Sequence, residues 1–141
     1  MIREYQKNDD QELITIWYEA SIIAHNFIPS EFWAAEKKNV QEKYLPMADT
    51  YVKEVDGKIV GFISLIDDYI GALFVSPEYQ GKGAGSELIS KARSLRKELT
   101  VEVYKDNIKA QQFYQKCGFT LVGARVQPET GCELLTMKLT N

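Results

Sequence analysis

The stretch that most constrains this chain runs Leu73-Phe74-Val75-Ser76-Pro77-Glu78-Tyr79-Gln80-Gly81-Lys82-Gly83-Ala84-Gly85-Ser86. The apolar run from Ile70 to Val75 reads as a buried strand, and a short polar loop follows it. Glycines then stand at every second position, and behind them Leu88, Ala92 and Leu95 recur at helical spacing. A strand, a glycine loop and a helix start make a seat for phosphate. Glycine lets the backbone approach the ligand, and the free N–H groups of a first helical turn point at it. No anionic side chain blocks the loop between Gln80 and Ser86, and Lys82 adds a positive charge. A glycine cluster alone is as readily a flexible turn; the flanking strand and helix favour anion binding.

Two nucleotide readings compete for this seat. Gly81-Lys82 is followed by Gly83 rather than Ser or Thr, and no lysine separates Gly85 from Ser86, so the nucleotide P-loop pattern fails. Gly81-x-Gly83-x-Gly85 lies near a dinucleotide loop, with Glu102 at about the right distance to hold a ribose. Against that, the loop from Val75 to Gly81 is longer than a tight turn, and little sequence remains for further strands.

The stretch resembles the acetyl-CoA site of the GCN5-related N-acetyltransferases. Their signature is Gln or Arg, two residues, Gly, one residue, then Gly or Ala; here it is Gln80-Gly81-Lys82-Gly83-Ala84-Gly85. A second signature follows in Asn107-Ile108-Lys109-Ala110-Gln111-Gln112-Phe113-Tyr114-Gln115-Lys116-Cys117-Gly118-Phe119. The resemblance covers essentially the whole chain and is nearest in look to the small bacterial YiaC- and YjaB-like branch. It implies a three-layer α/β fold in one N-acetyltransferase domain over residues 1–141. The expected sheet is mixed but mostly antiparallel, of about six or seven strands with one splayed parallel pair, flanked by about four helices.

The order of elements fits that expectation. Met1 to Tyr5 reads as a strand. Asn8 and Gln11 have capping spacing, ahead of Leu13, Trp17, Ala20 and Ala24. His25-Asn26-Phe27-Ile28-Pro29 breaks this helix, and Ser30 is placed to cap another that runs through Trp33, Val40 and Tyr44 to a stop at Pro46. Asp56-Gly57 joins strands Thr50–Val55 and Ile59–Ile66 as a hairpin. Asp67-Asp68 turns into the central strand, Tyr69 to Val75. A helix from about Gly83 to Arg96 crosses over to a parallel strand, Leu99 to Tyr104. Asn107 caps a helix whose Ala110, Phe113, Tyr114 and Cys117 share one face, closed by Gly118. Two last strands, Phe119–Val126 and Cys132–Leu139, end the chain's order.

Composition narrows the function classes. With 141 residues and a net charge of −3, the chain is long enough for one core and is weakly disfavoured as a nucleic-acid binder. No apolar run approaches the roughly 20 residues of a membrane span, and no leader pattern precedes Ile2-Arg3-Glu4-Tyr5. Cys117 and Cys132 read as reduced thiols of a cytoplasmic protein, and one histidine with scattered carboxylates gives no metal site.

Site roles follow from the resemblance, each beside an ordinary structural reading. Backbone N–H groups of Gly81, Lys82, Gly83, Ala84, Gly85 and Ser86 are expected on the cofactor diphosphate, beside Gln80. Splaying of the central strands would leave Phe74 and Val75 to pair with the pantetheine arm. Asn107 matches the family asparagine on that arm and is equally a helix cap. Lys82 and Lys109 are candidates for the outer phosphate or plain surface lysines. Tyr114 matches the tyrosine that protonates the leaving thiolate; a phenol with pKa near 10 is a competent donor at neutral pH. It is otherwise a core tyrosine.

Glu102 is the first candidate for the base. Its spacing to Asn107 and Tyr114 resembles that in ribosomal-protein N-terminal acetyltransferases of the family, and it points away from the face that Val101 and Val103 bury. A solvated strand glutamate is the alternative, with His25 and Asp67 or Asp68 as fallback bases. His25, Phe27 and Tyr69 are the candidates for substrate contact. The expectation is direct acetyl transfer from acetyl-CoA to a primary amine, a protein lysine or N-terminal amine ahead of a small amine. A non-catalytic acyl-CoA sensor is the reading from another class; in either case the chain is expected to be a monomer or a homodimer.

Overall fold

The computed structural model describes residues 1–140. Strands β1 (Ile2–Glu4), β2 (Asp49–Val55), β3 (Lys58–Ile66), β4 (Tyr69–Val75), β5 (Glu98–Tyr104), β6 (Thr120–Val126) and β7 (Glu133–Thr140) form one seven-stranded sheet in the order β1-β2-β3-β4-β5-β7-β6. Every neighbouring pair is antiparallel except β4 and β5. Helices α1 (Asp10–Ala24) and α2 (Ser30–Asn39) cover one face, while α4 (Ala84–Leu95) and α5 (Ile108–Lys116) cover the other. A short turn of helix, α3 (Leu45–Met47), leads into β2.

Local chemistry sets the helix ends, and three differ from the sequence expectation. The residue before α1 is Asp9, not Asn8, and its carboxylate turns back from the helix to accept the Gln6 backbone N–H at 2.8 Å and the Arg3 guanidinium at 2.9 and 3.1 Å. That carboxylate is thus held by a cation from β1 as well as by the backbone, which the isolated Asn-x-x-Gln spacing does not reveal. Ser30 is the first residue of α2 rather than its cap, and Pro29 occupies the cap position. Pro46 does not stop the helical path. The chain widens into a π-turn over Val40–Tyr44, where the Leu45 N–H reaches back to the Val40 carbonyl, and Pro46 sits in α3 just after it. Proline has no N–H to donate, and the wider turn makes room for its ring.

The β2–β3 hairpin closes on Asp56 and Gly57, with φ of 52° and 79°. Positive φ at both turn positions matches the right-handed twist of the flanking strands. The decisive irregularity is in β4. Ser64 pairs with Ala72 and the next pair is Leu65 with Ile70, so Gly71 bulges out. The parallel pairing of β4 with β5 covers only Tyr69–Thr100 and Ile70–Val101. Beyond it, β4 stays with β3 and β5 stays with β7. A gap opens between them. Leu73, Phe74 and Val75 are therefore half-buried, where the apolar run read as a buried strand.

Two apolar clusters sandwich the sheet. Leu88, Ile89 and Ala92 of α4 and Tyr114 of α5 pack with Ile63, Val101 and Met137 on one face. Leu13, Ile16 and Trp17 of α1 and Trp33 of α2 pack with Val52, Phe62 and Leu134 on the other. Cys117 borders the first cluster and Cys132 the second; both are free thiols. Among the described residues no helix is long and apolar enough to cross a membrane.

Candidate active site

The gap between β4 and β5 is framed by two helix starts. α4 begins where β4 ends, after a single 3-10 turn at Pro77–Tyr79. Gly83 caps it with φ 89°, a left-handed conformation that strains any residue with a Cβ. Gly81, Lys82 and Gly83 are exposed, and the first N–H groups of α4, from Ala84 to Ser86, have no intrahelical partner. At Gly85 the missing side chain serves packing, whereas at Gly81 and Gly83 it serves a positive φ. A Cβ there would lie 3.1 Å from the Phe113 ring, so this glycine lets α4 pack against α5. The Lys82 ammonium lies over the Tyr79 ring at 5.4 Å, and Lys109 is exposed in the first turn of α5.

The strand edge on the gap is Leu73 and Val75, rather than Phe74 and Val75. The Ser76 N–H bonds the Val60 carbonyl at 2.8 Å. Alternation along an antiparallel ladder then turns the Phe74 backbone groups to Phe62 of β3 and those of Leu73 and Val75 toward the gap. The Val75 carbonyl there accepts the Gln80 side-chain amide at 3.0 Å. Gln80 thus ties the loop to the strand end.

Tyr114 is buried on the α4–α5 side, edge-on to Phe113 and Phe119. Among the described residues nothing hydrogen-bonds its hydroxyl. Burial raises its pKa well above that of an ordinary phenol, and nearby Cys117 and Tyr69 push the same way. It is a held proton without a competing acceptor.

Glu102 lies on the opposite face and does not stand free, as a base would. Both its oxygens take the Arg125 guanidinium, Nε at 2.7 Å and Nη2 at 3.0 Å, and the Tyr69 hydroxyl donates to Oε1 at 3.3 Å. Arg125 holds the Glu102 carboxyl below the usual carboxylate range. Burial and Glu102 raise the Tyr69 pKa to about 12. Asp67 and Asp68 sit in the turn before β4, with the Asp67 carbonyl on Arg96 Nε and the Asp68 carbonyl on the Thr100 N–H. They close the paired end of the two strands, away from the gap.

His25 ends α1 and is boxed by Phe27, Trp33 and Tyr104, with ring centroids at 5.9, 5.2 and 4.8 Å. Burial lowers its pKa to about 4, so it is neutral at pH 7. Its Nε2 lies 3.0 Å from Asn107 Nδ2. Asn107 Oδ1 accepts the Ala110 N–H at 3.2 Å, capping α5. The amide nitrogen must therefore face the ring and donate to Nε2, which places the proton of the neutral imidazole on Nδ1. Nδ1 and Trp33 Nε1 are buried without a partner among the described residues. A neutral ring whose Nε2 already accepts a bond is a poor proton carrier, contrary to the fallback reading of His25 as a base.

Arg125, Tyr104 and Gln127 escaped the sequence reading. Tyr104 donates to Gln127 Oε1 at 2.8 Å, holding the β6–β7 connection beside the gap. The one available signal was Arg125, a lone charge in a strand whose other residues are uncharged. Among the described residues no group of three His, Cys, Asp or Glu side chains is placed to hold a metal ion.

Comparison with known proteins bears on this site. The acetyltransferase (GNAT) domain family matches residues 7–141. Peptidyl-lysine N-acetyltransferase YiaC of Escherichia coli is 34% identical over 131 residues, covering 92% of this chain and 90% of that protein. Peptidyl-lysine N-acetyltransferase YjaB of Escherichia coli is 34% identical over 124 residues, covering 86% and 83%. The solution structure of apo YjaB superposes with a TM-score of 0.87 at 30% identity, covering 98% of this chain and 95% of that one. The PaiA N-acetyltransferase of Thermoplasma acidophilum, solved with coenzyme A, has the same fold, with a TM-score of 0.84 at 21% identity, covering 100% and 98%.

Proposed function

This chain belongs to the GNAT acetyltransferase family, and from that premise we propose that it moves an acetyl group from acetyl-CoA directly to the ε-amine of a protein lysine. The observation that carries the reading is the gap between β4 and β5, with a backbone edge on one side, a glycine-capped helix start at its end and a buried phenol behind it. The peptidyl-lysine activity named for YiaC and YjaB supports the acceptor. The coenzyme A in the PaiA structure supports the cofactor.

In this mechanism the diphosphate rests on the N–H groups from Gly81 to Ser86, and the amide-rich arm pairs with Leu73 and Val75 as an added strand would. The lysine enters from the face of Tyr69, Glu102 and Arg125. Its ammonium first gives one proton to water; the neutral nitrogen then attacks the thioester carbon, the C–N bond forms, and a backbone N–H on the gap edge faces the developing oxyanion. The C–S bond then breaks, and Tyr114 gives its proton to the thiolate. Glu102 is anchored by Arg125 and has a lowered proton affinity, so it serves as a counter-charge to the arriving ammonium. The second proton leaves the nitrogen as the tetrahedral intermediate collapses and, by way of water, restores the Tyr114 phenol.

The test is acetyl-CoA turnover, followed as free thiol, over lysine peptides and small amines, with wild type and Tyr114→Phe. Peptide-dependent release that falls at least about tenfold in the variant, with coenzyme A still bound, is the expected result. Turnover only with a polyamine, amino acid or aminoglycoside would move the acceptor to small molecules. Binding without turnover on any amine would make the chain an acyl-CoA sensor.

A further inference from the structure

We propose that His25 is a positioning residue for the cofactor, acting through Asn107, although it sits in the α1–α2 layer. The inference rests on the reading above that Asn107 borders the pantetheine arm.

His25 ends α1, in the layer that covers the Glu102 face, and Asn107 starts α5, in the layer that covers the Tyr114 face. Their 3.0 Å hydrogen bond therefore crosses from one layer to the other at the open end of the gap. Both partners are fixed from behind. Phe27, Trp33 and Tyr104 pack around the imidazole and deny it another orientation. Asn107 spends Oδ1 on the Ala110 N–H, so its amide has one orientation that satisfies both contacts. Gln111 ties the same turn of α5 to the end of β5, with Nε2 2.6 Å from the Lys105 carbonyl.

Remove the imidazole acceptor and Asn107 Nδ2 loses its anchor, while the helix cap at Oδ1 survives. Held by the Oδ1 bond alone, the amide can pivot about that contact and turn Nδ2 away from the arm. The bond needs Nε2 unprotonated, so the Nδ1–H tautomer is part of the device. A ring that touched the acceptor alone would have no reason to accept a bond from the far layer.

The experiment measures coenzyme A affinity by calorimetry, and KM for acetyl-CoA and for a lysine peptide, on wild type, His25→Phe, Asn107→Ala and the double variant. Phenylalanine keeps the aromatic packing and removes the acceptor; His25→Gln offers a replacement acceptor near the Nε2 position. The expected result is a roughly tenfold weaker coenzyme A affinity in His25→Phe. A matching rise in KM for acetyl-CoA, little further loss in the double variant, and partial recovery in His25→Gln complete it. Nitrogen-15 spectra of wild type should show the His25 proton on Nδ1. A His25→Phe variant that binds coenzyme A normally overturns the proposal alone, as does a proton on Nε2. A change confined to the peptide KM, or a fall in kcat with thermal stability and both KM values unchanged, also overturns it. A wild type that fails to bind coenzyme A overturns the cofactor reading and this proposal together.

Discussion

His25 makes the acid side of the stability curve predictable. Burial sets its folded pKa at about 4, below the ordinary value of 6.5, because the box of three aromatic rings cannot solvate an imidazolium. The unfolded chain therefore binds the proton first as pH falls. The stabilisation is fully present above about pH 6.5 and is lost as pH drops through about 4, on the order of 3 kcal/mol in all. Chemical denaturation at a series of pH values should show this decline, and His25→Phe should flatten it between pH 6.5 and 4. Glu102 contributes in the same direction but lower down. Arg125 depresses its folded pKa, so its stabilisation holds above the ordinary carboxylate range and fades as pH falls through the folded value. Arg125→Ala should remove that lower portion and leave the His25 window untouched. The same substitution raises the Glu102 pKa toward an ordinary glutamate's, which proton-detected titration of the side chain will read directly.

At the scale of elements, β4 parts from β5 because the Gly71 bulge and the two-residue parallel pairing release it. Hydrogen exchange should therefore alternate along its free end. Phe74, bonded into β3, is expected to be protected in the free protein, while Leu73 and Val75 exchange quickly and become protected with acetyl-CoA bound. Uniform protection in the free protein would mean that the gap is closed. Gly85 gives a second test. Gly85→Ala pushes a methyl group against the Phe113 ring from 3.1 Å and should cost about 1–3 kcal/mol by separating α4 from α5. Urea unfolding measures it. Much of this scale was legible in the sequence, since hydrophobic period, Asp56-Gly57 and the glycine loop are local signals. The bulge was not, because it depends on how β3 and β4 register against each other. For the same reason the sequence placed Phe74 rather than Leu73 on the free edge. Asn107 and His25 were each legible as candidates, yet nothing local announced that they meet across 82 positions. Arg125 neutralising Glu102 was equally hidden, because β7 lies between their strands.

For the whole molecule, the question is whether two helical layers on one sheet behave as one cooperative unit. The sheet argues that they do: Ile63 faces the α4–α5 cluster and its neighbour Phe62 faces the α1–α2 cluster, so each strand of the centre serves both layers. The His25–Asn107 bond adds a link beyond the sheet edge. Leu88 of α4 and Leu13 of α1 are both fully buried, one in each cluster. Leu88→Ala and Leu13→Ala should each lower the unfolding free energy by about 2–5 kcal/mol, through lost contact and the cavity left behind. Each should do so as a single transition with the denaturant slope of wild type, followed both by backbone circular dichroism and by tryptophan fluorescence. Trp17 and Trp33 both sit in the α1–α2 layer, so fluorescence watches that layer alone while circular dichroism watches the whole chain. Coincident curves for Leu88→Ala mean that damage under α4 is felt by the far layer at once. If the fluorescence transition instead keeps its wild-type midpoint while the circular dichroism splits, the layers unfold separately. The cofactor face and the acceptor face would then be coupled through the gap only when both ligands fill it.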